Sequence, residues 1–325
     1  MGHRVTSSPA KLISETSMFF SLALALFGFQ GQITPKLPVR AQAVSGFQKP
    51  QRSKQSPNSV WFLPRVSNRP ANTKGKVFVI MYHHIREGAN PMFRSASKFR
   101  QDLENLYNAG FRPVTVTEYV ENRMILGPGA SPVVITFDDA HPNQFQLRKD
   151  GSIDPHTAVG IWSEFSKTHP DFPVKGTWYM LPVMWGQKAL REKKVKMILE
   201  MGSELGNHTY NHKFLSKQND EVVKSEIAKM NDLLVKYGIP ANMPLCPPYG
   251  EYPKNKSLVK SFSWKGKTYN HSSACLAWDA PALSPEDSKF NKYKFERLHG
   301  NSYSMGIDYW LARLKAGKVK PYVSP

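Results

Sequence analysis

Cysteine is nearly absent: Cys246 and Cys275 are the only two in 325 residues. Two thiols cannot staple a chain of this length, which excludes a disulfide scaffold and leaves stability to an ordinary core. The pair reads as two small buried hydrophobes, with a disulfide as the alternative in an oxidising compartment. Acid is scarce as well. Residues 1–75 carry ten Lys/Arg against Glu15 alone, so +9 of the net +19 lies there. Such a balance favours acidic partners and says nothing of fold. The candidates are an anionic envelope polymer, a lipid headgroup surface and nucleic acid. No RNP, zinc-finger or helix-turn-helix signature is present, so nucleic acid is set aside. Internal repeats are also lacking.

A membrane-length apolar run is missing from the N-terminus. Residues 18–29 read MFFSLALALFGF, a run of 12. That is too short to cross a bilayer comfortably and suits the core of an export signal. Arg4 and Lys11 supply positive charge upstream, and Ala41 and Ala43 frame an A-x-A pattern well past the run. No cysteine follows the run closely, which removes a lipid-attachment site. Residues 1–43 are therefore expected to be a signal peptide or N-terminal anchor. The chain is expected to be exported, to the periplasm, envelope or exterior. Residues 44–75, rich in Pro, Gln, Ser and basic side chains, read as a linker. The folded domain is expected over 76–325, as a monomer.

Within that domain, strand and helix patterns alternate. Residues 77–81 and 131–137 are continuous apolar runs, as in strands covered on both faces. Further strands are expected at 111–117, 176–181, 204–207, 243–246 and 273–278. Phe99, Leu103, Leu106 and Tyr107 recur at helical spacing before Gly110. Helices are also expected from Thr117 and at 158–165, 189–201, 221–237 and 307–314. Alternating β and α units imply a parallel sheet, open or closed into a barrel, with the active groups at the C-terminal ends of strands.

Two clusters fall at such strand ends. Asp138 and Asp139 follow the 131–137 strand, where one carboxylate can bind a metal and the other can move a proton. Glu204-Leu205-Gly206 leads into His208-Thr209-Tyr210-Asn211-His212. One helical turn at that spacing would put both imidazoles on one face. One carboxylate and two imidazoles make three protein ligands, the number found in catalytic zinc sites with an open position. The expected ion is divalent, Zn²⁺ first, with Co²⁺, Ni²⁺, Mn²⁺ or Fe²⁺ as alternatives. A free carboxylate beside it is placed to act as a base. These parts suit hydrolysis of an amide or ester.

Thr136-Phe137-Asp138-Asp139 and His208-Thr209-Tyr210-Asn211-His212 resemble the first two motifs of the polysaccharide deacetylases with a NodB-homology domain, a carbohydrate esterase family 4-like group. The likeness covers roughly residues 76–280. It implies a distorted (β/α) barrel with fewer than eight regular strands. It implies Asp138 as general base, with Asp139, His208 and His212 as metal ligands. Pro247-Pro248-Tyr249-Gly250 resembles the third motif, which makes Pro248 and Tyr249 substrate contacts. The Tyr249 backbone N–H would be an oxyanion donor. Tyr82-His83-His84-Ile85 resembles a start common in the branch acting on poly-N-acetylglucosamine.

The chain departs from the family pattern in three places. The third motif normally opens with Arg, which pairs with the base; here Cys246 stands there. Without that cation Asp138 is expected to titrate higher, unless another Lys/Arg substitutes. The usual late general-acid His has one candidate, His299, in charged surroundings, and Trp278-Asp279 resembles the segment that orients it. Ala140 replaces the usual Gly and His141 follows. His141, Cys246, Asp279 and His299 are thus candidates to touch the site from behind. Residues 140–157 read as a loop beside it. Trp162, Trp178, Trp185, Trp264, Trp278 and Trp310 show no sugar-platform spacing, and core packing is their default. The resemblance implies removal of N-acetyl groups from an N-acetylglucosamine polymer: peptidoglycan, a chitin-like chain or poly-N-acetylglucosamine. The alternatives are an O-acetyl esterase or small-amide hydrolase with the same site, and a degenerate domain that only binds wall glycan.

Overall fold

The computed structural model describes residues 63–325. The apolar run, the cleavage pattern and most of the basic segment lie outside the described residues. No described helix is long and apolar enough to cross a membrane.

Seven parallel strands form the framework: β1 (Phe78–Tyr82), β2 (Phe111–Pro113), β3 (Ser131–Phe137), β4 (Thr177–Met180), β5 (Glu204–Asn207), β6 (Cys275–Asp279) and β7 (Phe295–His299). They pair in the order β6-β7-β1-β3-β4-β5, with β2 beside the first half of β3. Leu245 forms single parallel bridges to Asn207 and to Ala274. One residue therefore links the end of β5 to the start of β6. This is the expected α/β architecture, with seven regular strands.

Every residue of β1 and β3 is buried, because both faces are covered. Side chains alternate between two cores. Val79 and Val134 pack inward with Tyr179, Cys246, Cys275 and Phe295. Phe78, Ile80, Val133, Ile135 and Phe137 pack outward against the helices. Those helices are α1 (Ala96–Asn108), α2 (Val116–Val120), α3 (Ala158–Thr168), α4 (Arg191–Glu200), α5 (Asp220–Lys236) and α6 (Ile307–Lys315). Ser95 caps α1 and Asn219 caps α5, each accepting from a backbone N–H in the first turn.

Two expectations need correction, and two features were not anticipated. The strand expected over 111–117 ends at Pro113, because Thr115 and Glu118 form a capping box that starts α2 early. The strand expected over 243–246 shrinks to the bridges of Leu245. Pro244, Pro247 and Pro248 lack the N–H groups a ladder needs. The sequence reading placed no strand at β7 and no hairpin at Ser261–Trp264 and Lys267–Asn270.

The chain also packs ahead of residue 76. Val66 N–H donates to Pro128 O, and the Arg69 guanidinium donates to Gly110 O and Gly129 O. Asn72 pairs with Val323 of the C-terminal tail. That tail also bonds Lys76 and Ala130, at the entry to β1 and β3.

Candidate metal centre and active site

Asp138 and Asp139 leave the end of β3. A left-handed backbone at Asp139 (φ 72°) and Ala140 (φ 53°) turns the two carboxylates apart. Such backbone costs about 1–3 kcal/mol per residue and needs support. Gln144 Nε2 supplies it by donating to Asp138 O at 2.6 Å and His83 O at 2.7 Å. Trp185 N–H holds Ala140 O at 2.8 Å.

Asp138 is buried against Arg297, which is itself only 1% exposed. Nη1 donates to Oδ1 and Nη2 to Oδ2, both at 2.8 Å. The remaining reach of the guanidinium goes to Leu276 O and Thr136 Oγ1, each 3.0 Å away. Burial alone would raise the Asp138 carboxyl, but the Arg297 charge outweighs it and holds the group down to about 2. The raised base expected without a cation does not arise, because another arginine substitutes, the exception left open by the sequence. The family position holds Cys246, and the cation comes from β7 instead. Cys246 Sγ sits 3.1 Å from Arg297 Nη2 and 3.6 Å from Asp138 Oδ2. Cys246 and Cys275 are both free and buried. His83 Nε2 lies 3.9 Å from Asp138 Oδ2. Its burial lowers the imidazole to about 4, so it is neutral near pH 7.

Asp139 faces the histidines. Its Oδ1 is 3.3 Å from His208 Nε2 and 3.3 Å from His212 Nε2. One atom from each of the three residues falls within 4.8 Å of the others. His208 Nδ1 lies 2.7 Å from Cys246 O, and His212 Nδ1 lies 3.2 Å from Tyr249 Oη. An imidazole tied at Nδ1 presents Nε2, the arrangement that metal-binding histidines use. Asp139 Oδ1 is buried and has no hydrogen-bond partner. Burial pushes its carboxyl up, yet the hydrogen bond from His141 and the nearness of His208 drive it well below the usual range. An orphaned carboxylate oxygen among ring nitrogens is costly unless a cation stands between them. The donor set, one carboxylate and two imidazoles, fits Zn²⁺ or a similar divalent ion.

The histidines do not share a helical turn. Residues 208–212 form a loop after β5, with left-handed backbone at Thr209 (φ 68°) and His212 (φ 53°). Asn207 Oδ1 accepts from Thr209 N–H at 2.7 Å, and Glu226 of α5 accepts from Asn211 N–H at 2.7 Å. The rings end 5.0 Å apart.

Tyr249 and His299 complete the mouth. Tyr249 has φ 60° and ψ 10°, is 52% exposed and stacks on Phe214 at 3.6 Å. Pro248 before it is buried. His299, at the end of β7, bonds Asp279 through Nδ1. Trp310 Nε1 fixes Asp279 O at 3.1 Å. The residue that orients His299 is Asp279 of β6, not the charged residues beside it in sequence. Asp138, Asp139, His208, His212, Tyr249 and His299 line one cavity of about 390 Å³. A larger groove, about 1070 Å³, runs between α1 and α6 and touches none of them. Trp162, Trp178 and Trp185 are fully buried, whereas Trp278 is 58% exposed.

The sequence reading missed Arg297 and Phe214, and gave His83 no role. Arg297 had one available signal: it lies two residues before His299, so a strand there would point both to one face.

A model of the polysaccharide deacetylase family matches residues 127–263. A curated relative, the peptidoglycan-N-acetylglucosamine deacetylase of Bacillus cereus, is 29% identical over 125 residues, 38% of either chain. The match thus spans well under half of that relative. A solved polysaccharide deacetylase from Bacillus cereus superposes with TM-score 0.55 at 18% identity, covering 74% of this chain and 69% of the other. The Streptococcus pyogenes deacetylase PplD, solved with acetate, gives TM-score 0.51 at 17% identity over 70% of this chain and 92% of its own.

Proposed function

We propose that the chain, which resembles the polysaccharide deacetylase family over residues 127–263, is an exported hydrolase that removes N-acetyl groups from an N-acetylglucosamine polymer. The observation that carries the reading is the convergence of Asp139 Oδ1, His208 Nε2 and His212 Nε2 beside a carboxylate clamped by Arg297. Asp139, His208 and His212 would hold the ion. When bound, a divalent cation supplies Lewis-acid polarisation of an acyl oxygen and makes water more acidic.

The chain's own groups do the rest. Arg297 keeps Asp138 ionised, so the carboxylate can take the proton of a water as its oxygen attacks the acetamide carbon. The Tyr249 backbone N–H is the proposed donor to the oxygen that gains charge. His299, oriented by Asp279, gives a proton to the departing nitrogen as the C–N bond breaks. The products are acetate and a free amine on the sugar. The glycan-binding alternative drew on a missing arginine and a weak late histidine. The Arg297–Asp138 and Asp279–His299 pairs support the enzyme over that alternative.

The test is acetate release from peptidoglycan, chitin oligomers and poly-N-acetylglucosamine, by wild type and Asp138→Asn. Loss of the base is expected to lower the rate by about 10²–10⁴. An unchanged rate removes Asp138 from the mechanism. Acetate from an O-acetylated xylan but from none of the three polymers points to the esterase. No acetate and no bound metal points to the binding domain.

A further inference from the structure

We propose that His141 is a positioning residue of the metal centre, tying off one oxygen of Asp139 so that the carboxylate offers the ion a single donor. This rests on the metal reading above. The two oxygens of Asp139 have different surroundings. Oδ1 is the buried, unbonded one facing both Nε2 atoms at 3.3 Å. Oδ2 lies 3.1 Å from His141 Nε2. An ionised carboxylate only accepts, so His141 Nε2 must carry the hydrogen.

His141 is itself built in. Its ring stacks on His84 at 3.7 Å with planes 23° apart. Asn143 Nδ2 lies 3.1 Å from His84 Nδ1. His141 precedes the short turn Pro142–Gln144, and Gln144 grips the backbone of Asp138 and His83. The His84 stack and the turn that His141 begins thus hold the ring at Oδ2. His141 is not one of the converging metal-ligand atoms among the described residues, so it acts through Asp139.

A carboxylate with both oxygens free can bind through one atom or two, and its ordering costs affinity. Holding Oδ2 fixes the carboxylate and keeps the protein donors at three. Outer hydrogen bonds of this kind change metal affinity by about 10–100-fold.

The experiment uses the full chain, stripped by a chelator and reloaded with Zn²⁺ or Co²⁺. Zn²⁺ affinity is read by competition with a chromophoric chelator, and coordination by the visible absorption of the Co²⁺ form. His141→Ala is expected to bind Zn²⁺ about tenfold or more weakly. Its Co²⁺ bands should weaken as Oδ2 becomes free to coordinate. His141→Gln keeps an N–H donor and should recover most of both readings. Circular dichroism and Tm of the metal-free variants control for folding. An unchanged affinity and spectrum in His141→Ala overturns the positioning role. Complete loss of binding with no recovery in His141→Gln also overturns it, because His141 is then a ligand. A wild type that takes up neither ion defeats the metal reading itself, a result distinct from both.

Discussion

Arg297 grips Asp138 through two nitrogens where water is excluded. A buried ion pair of this kind adds little net stability, but losing one partner leaves a bare buried charge. Arg297→Met should therefore cost about 3–5 kcal/mol in denaturant unfolding. Asp138→Asn combined with Arg297→Met should be milder than Arg297→Met alone, because no charge is stranded. The pH behaviour has a definite sign. The Asp138 carboxyl is held at about 2, below its ordinary 3.8. Its contribution to stability is thus present above the ordinary value and lost as pH falls toward 2. Removing the guanidinium raises that carboxyl, so the acid limb of kcat/KM should move to higher pH. An unmoved limb would separate Arg297 from the base. At this scale the convergence of Asp139, His208 and His212 could be anticipated from the sequence, because two short motifs carry the three residues. Arg297 was not, because it meets Asp138 across 159 positions.

Elements explain why. β3 was easy to read: SPVVITF is buried at every position. β7 was not, because Phe295-Glu296-Arg297-Leu298-His299 mixes three polar side chains into five residues. Two of them face the site, and their polarity is matched by partners that sequence alone does not display. The histidine pair shows the opposite case. Its spacing suggested a helix, yet left-handed residues and bonds to Asn207 and Glu226 bring the rings together in a loop. The position of β7 depends on a close approach. A Cβ at Gly300 would lie 2.2 Å from the Tyr82 ring. That ring is held by a 2.8 Å hydrogen bond from its hydroxyl to Asp102 and cannot easily yield. Gly300→Ala should cost about 1–3 kcal/mol by thermal unfolding. Its kcat should fall further than stability implies, because His299 is the next residue. A Tm and kcat matching wild type would show that the strand end has slack.

For the whole molecule, the alternating pattern made the α/β architecture legible, while the segment 243–246, read as a full strand, is cut by its prolines to the bridges of Leu245. Two predictions belong here. Ligands that bind only the folded state stabilise it, by about 2.7 kcal/mol at a concentration 100 times Kd. Chelation should therefore lower Tm, and Zn²⁺ should restore it; equal Tm values would argue against a metal at Asp139. Removing residues 320–325 cuts the tail's backbone bonds to Asn72, Lys76, Gly129 and Ala130. At about 0.5–1.5 kcal/mol each, their loss should lower stability by about 3 kcal/mol or more in urea.

The same tail gives the domain a direction. Asn72 and Val323 pair beside Lys76 and Ala130, at the starts of β1 and β3, whereas Asp138, His208 and His299 stand at strand ends. The paired tail therefore lies at one pole of the described domain, and the mouth lined by Asp138, His208 and His299 opens at the other. A solid support coupled through residues near Leu63 would leave that mouth facing the solution.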